Sequence, residues 1–94
     1  MSNIILPDET TLQNCFKLSL KLSKPVDTYF YRDSLDGGVK FLTTGGESYI
    51  YKNEDEHTTS ISNTYSSGNC YIVVTDNTIH LVSNQIQSES QDEE

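Results

Sequence analysis

The chain is 94 residues long, 34% hydrophobic, without Trp, and carries a net charge of −8. That suffices for one small domain with a thin core and excludes a second independent one, so an assembly, a disulfide or a metal would be a natural source of support. All six basic residues precede Asn53, against six acids, whereas eight acids and no Lys or Arg follow it; a half-chain of that charge repels phosphate backbones and anionic membranes.

Residues 1–11 read as an irregular arm, punctuated by Pro7, Asp8 and Glu9. In CFKLSLKLSK, Phe16, Leu18, Leu20 and Leu22 alternate with Lys17, Ser19, Lys21 and Ser23. That period of two predicts a half-buried strand, ended or kinked at Pro25. Helix has room only in the arm or around TLQNC. The aromatic run VDTYFYR favours β structure, and DSLDGG reads as turns. VKFLTT and ESYIYK form two strands whose Gly45-Gly46 link predicts a tight hairpin. NEDEH is a charged loop, TTSISNTY a weak strand ending at Tyr65, and residues 66–69 a turn.

CYIVVTDNTIHLVS, residues 70–83, is a hairpin about Asp76-Asn77, two residues that tolerate left-handed turn geometry. Its pairing sets Val74 opposite Ile79 and Ile72 opposite Leu81 on one core face. The other face pairs Tyr71 with Val82 and Val73 with His80, and is more apolar than a solvent face requires. In a small closed barrel Tyr71, Val73, His80 and Val82 would form an outward partner surface; in a sandwich corner they would be interior. The polar, acidic QSESQDEE, residues 87–94, is expected to be a disordered tail. Together these elements predict an all-β domain over residues 12–86, a small sandwich or SH3-like barrel of six or seven short antiparallel strands.

Catalytic and metal chemistry find no pattern. Cys15 and Cys70 are 55 positions apart and His57 and His80 are 23 apart, unlike the close pairs of structural zinc sites. Cys70 and His80 would face opposite sides of the hairpin, and no nucleophile elbow or oxyanion loop accompanies them. The carboxylates of SLDGGVKF and NEDEH lack the spacing of a calcium loop, and the glycine pairs lack the strand, helix and Lys of a phosphate loop. The expectation is a non-enzyme without cofactor or metal. Lys17, Lys21, Lys24 and Lys40 could form a small basic strip, but the net charge weighs against the aromatic residues stacking on nucleic acid.

No apolar run approaches the roughly 20 residues that cross a bilayer, and the N-terminal residues lack the pattern of a secretory leader. An intracellular setting is therefore expected, with both cysteines reduced.

The residues Tyr71-Ile72-Val73, Thr75, Asn77-Thr78-Ile79 and Leu81-Val82-Ser83, with a looser match from LSLKLSKPV onward, resemble small β-rich proteins of large double-stranded DNA viruses of algae and protists. That resemblance covers about residues 16–86. It implies a viral origin, in host cytoplasm or virion, and no assigned activity. The expected function is a non-enzymatic interaction or structural protein, part of an assembly, with a protein partner or self-association, no membrane, and nucleic acid disfavoured. The alternative is an acidic decoy that mimics nucleic acid and occupies a basic groove on a partner.

Overall fold

The computed structural model describes residues 7–90. Its first element is helix α1, Glu9–Leu22, where alternation predicted a strand. Leu18 and Leu22 satisfy a helical period as well as an alternating one, and local chemistry favours the helix. Asp8 caps it, its carboxylate accepting from the Thr11 N–H at 2.7 Å. Glu9 sits in the first turn and Lys21 in the last, each complementing the helix dipole. No β-branched residue stands between Leu12 and Leu22. Ser23 ends the helix in the left-handed conformation, φ 56°, just before Pro25. The helix therefore takes in residues 9–11 of the expected arm; residues 1–6 of that arm lie outside the described residues.

After α1 come strand β1 (Val26–Asp27), helix α2 (Tyr31–Asp36), and strands β2 (Lys40–Thr44), β3 (Glu47–Asn53), β4 (Glu56–His57), β5 (Ile61–Ser67), β6 (Cys70–Thr75), β7 (Ile79–Ser83) and β8 (Gln87–Ser90). The structure is mostly β, in two four-stranded sheets ordered β1-β7-β6-β5 and β4-β3-β2-β8. They do not close into one barrel, and the two helices make the expected all-β class only partly right. Nor is every pairing antiparallel, since β1 pairs with β7 and β2 with β8 in parallel.

The hairpins follow the sequence closely. β2 and β3 pair Thr44 with Glu47 across Gly45 and Gly46, both left-handed at φ 62° and 83°, the geometry of a two-residue hairpin turn. β6 and β7 pair Val74 with Ile79, Ile72 with Leu81, Val73 with His80 and Tyr71 with Val82, as expected. Their Asp76-Asn77 turn, however, does not use positive φ. Thr75 closes it instead, donating its N–H and its hydroxyl to the Thr78 carbonyl at 2.9 and 3.0 Å.

The β6–β7 hairpin occupies the middle of its sheet and is covered on both sides. On one, Cys70, Ile72, Val74, Ile79 and Leu81 pack with Cys15 of α1 and Tyr31 of α2. On the other, Val73 and Val82 meet Phe30, Val39, Ile50 and Ile86 beneath the second sheet. Helices, first sheet and second sheet thus form three layers sharing one central hairpin. The expected disordered tail is corrected over residues 87–90, which form β8. That strand needs little apolar surface because its backbone pairs with β2, buried Ile86 anchors its start, and Glu89 forms an ion pair with Lys40. Residues 91–94 lie outside the described residues.

Candidate protein-docking site

The hairpin face that a closed barrel would have turned outward to a partner, and a sandwich would have buried, is inside the molecule. Val73 and Val82 are fully buried, and His80 is 7% exposed. Tyr71 is half-buried, its ring 5.8 Å from that of Phe41. Pairing alone could not reveal the cover, because Phe30, Val39 and Ile50 come from other elements. Of the four residues, only Tyr71 reaches an opening. It lines a cleft of about 590 Å³ between the sheets, with Phe41, Thr43, Ile61 and Thr64.

His80 faces the inter-sheet core, with the Phe30 ring 5.8 Å away and its Nδ1 buried without a hydrogen-bond partner. Burial lowers the imidazole pKa, and the Asp27 carboxylate opposes that shift. Cys70 faces the helix layer, so the hairpin separates it from His80. Folding instead joins Cys70 to Cys15 in one apolar cluster, both as free, buried thiols. Burial pushes the Cys15 thiol up to about 11 and raises that of Cys70, which suppresses thiolate chemistry. Cys15 sits on a helix rather than the expected strand. Among the described residues no group of three His, Cys, Asp or Glu side chains is arranged to hold a metal ion.

The longest of the four edge strands among the described residues is β5. It ends the first sheet, and among the described residues no strand pairs with its outer edge. Ser62 through Ser66 are all exposed, five consecutive residues of a seven-residue strand. An edge of that length presents unpaired N–H and C=O groups to any extended chain. One end of the strand is tied down. The Thr11 hydroxyl donates to the Ser67 carbonyl at 3.0 Å, and the Asn14 amide to the Ser67 hydroxyl at 3.0 Å. These contacts hold α1 alongside β5 and leave a groove of about 390 Å³ between them. Leu18 and Ile72 supply its apolar lining, while Lys17, Lys21, Tyr65 and Ser66 supply the polar part.

Lys17 and Lys21 were legible as part of a basic strip, but not as neighbours of β5, because that placement depends on α1 being a helix. Asp8 before a run of good helix formers was the available signal. Among the described residues neither lysine forms an ion pair. Lys40 and Lys52, by contrast, are engaged by Glu89 and by Asp33 and Glu56. Lys24 donates to the Thr75 carbonyl at 2.7 Å, so the expected four-lysine strip is divided. Phe16 and Leu20, at 59% and 83% exposed, stand elsewhere on the same helix. No helix among the described residues is long and apolar enough to cross a membrane. No family model, characterised protein or solved structure matches the chain.

Proposed function

We propose that this protein is a non-enzymatic interaction domain that docks a protein partner along the free edge of β5. The observation that carries this reading is the run Ser62–Ser66, exposed throughout on a strand whose outer edge has no partner among the described residues. Strand addition at such an edge draws affinity from main-chain hydrogen bonds and specificity from flanking pockets. Here the flanks are the α1–β5 groove and the inter-sheet cleft. A viral assembly, the setting implied by the hairpin's resemblance, would supply partners for such a module. The acidic-decoy alternative has less behind it, because Glu56 is tied to Lys52 and Tyr29 while Asp76 stands in a separate turn.

The test removes one outward N–H. Adjacent residues of an edge strand alternate in direction, so of Thr64→Pro and Tyr65→Pro one should spare the β6 ladder. That variant should keep the native circular dichroism spectrum and lose a partner that wild-type protein retains in affinity capture and in a reconstituted complex measured by light scattering. Retention of the partner by the variant that keeps the native spectrum would refute edge docking.

A further inference from the structure

Resting on that docking reading, the geometry points to a partner segment of defined chemistry: an extended acidic peptide with carboxylates two residues apart, bound to the β5 edge and held by Lys17 and Lys21. The two lysines are four residues apart on α1, hence on one helix face, and both line the groove beside β5. Four helical residues rise about 6 Å. Two strand residues advance about 6.6–6.8 Å and point to the same side. A peptide paired with β5 can therefore present side chains i and i+2 at nearly the axial spacing of the two lysines along α1. Neither ammonium has an ionic partner among the described residues, in a chain where acids outnumber bases 14 to 6.

The same lysines disfavour a second copy as the occupant. Antiparallel pairing of β5 with another β5 would place both α1 helices on one face of a continuous sheet. Lys17 and Lys21 of each copy would then bring four positive charges to the same face of the joined edge, which disfavours self-pairing. The edge thus repels itself and attracts an acidic strand.

The experiment titrates the full chain with seven-residue Val/Thr peptides bearing Glu at the third and fifth positions, or Gln or Lys there, or Glu at the third and fourth. Calorimetry gives affinity, and amide hydrogen exchange over residues 61–67 locates binding. The Glu-x-Glu peptide should bind about tenfold more tightly than its Gln analogue, the combined effect of two exposed ion pairs. That advantage should shrink at high salt, and the adjacent-Glu isomer should bind more weakly. Lys17→Glu/Lys21→Glu should abolish the preference and transfer it to the Lys-x-Lys peptide. Equal binding of all peptides with protection over β5 would overturn the acidic partner and leave edge docking standing. Protection by none of them, or a dimer built on β5 in light scattering, would overturn this inference and, if no protein partner is found at β5 either, the docking reading with it.

Discussion

Thr11 and Ser67, 56 residues apart in sequence, are joined by a 3.0 Å hydrogen bond from the Thr11 hydroxyl to the Ser67 carbonyl. Thr11 is fully buried, so this contact fixes the start of α1 against the end of β5 and sets the width of the groove between them. Thr11→Val preserves shape and strands the carbonyl, at an expected cost of about 1–3 kcal/mol in urea unfolding.

Gly68, immediately after β5, should be intolerant of Ala. Its φ is +57°, and an added Cβ would lie 2.5 Å from Asp8 Oδ2 and 2.9 Å from Thr11 Oγ1. The left-handed conformation alone costs a non-glycine residue roughly 1–2 kcal/mol. Gly68→Ala should therefore lower Tm and raise hydrogen exchange in the first turn of α1. A neutral effect would mean that the turn and helix are not in contact.

The three-layer arrangement predicts sharply unequal responses to leucine truncation. Leu81 is fully buried beneath the helices, and Leu81→Ala should cost about 2–5 kcal/mol. Leu20 is 83% exposed, and Leu20→Ala should stay within about 0.5 kcal/mol. A strand over residues 16–22 would instead make Leu20 as sensitive as Leu18. Denaturant midpoints of the three variants decide between the two.

His80 should make the fold acid-sensitive before its carboxylates do. Burial holds its pKa below the ordinary 6.5, so the unfolded chain takes up the proton first as pH falls. Its contribution is complete above pH 6.5 and is lost as pH drops through the folded-state value. Hydrogen bonds from Thr11 to Asp8 and from Tyr29 to Glu56 lower those pKa values from 3.8 and 4.5, placing their losses at lower pH. The urea midpoint should therefore begin to decline just below pH 6.5, and His80→Phe should flatten that first decline while sparing the later one.

Cys15 and Cys70 should resist alkylation in the native state at pH 8. Both thiols are buried, and burial raises both pKa values. Maleimide labelling followed by mass spectrometry should show both unmodified until denaturant is added, when both react at the rate of free thiols. Prompt native labelling of either would contradict the packing of α1 on β6.

Legibility followed the range of the interactions involved. The β2–β3 and β6–β7 registers could be read because two-residue turns and alternating side chains act between near neighbours, and a slip of one residue would exchange the faces. The segment around Phe16–Leu22 was ambiguous because Leu18 and Leu22 fit two periods at once; capping by Asp8 and helix-favouring composition tipped the balance. The second face of the β6–β7 hairpin could not be assigned, since its cover arrives from Phe30, Val39 and Ile50. β8 was concealed for a related reason: its attachment lies mainly in backbone pairing with β2, which composition does not encode.

The candidate site divides along the same line. The amino-acid sequence by itself determined that β5 would be polar and that Lys17 and Lys21 would stand among apolar residues. Only the tertiary structure decided that they share a groove, because the sheet order left β5 at an edge and the Thr11–Ser67 contact laid α1 beside it. Side-chain identity sets what a residue can bind; which neighbours reach it depends on long-range packing, and that is settled only when the whole chain closes on one core.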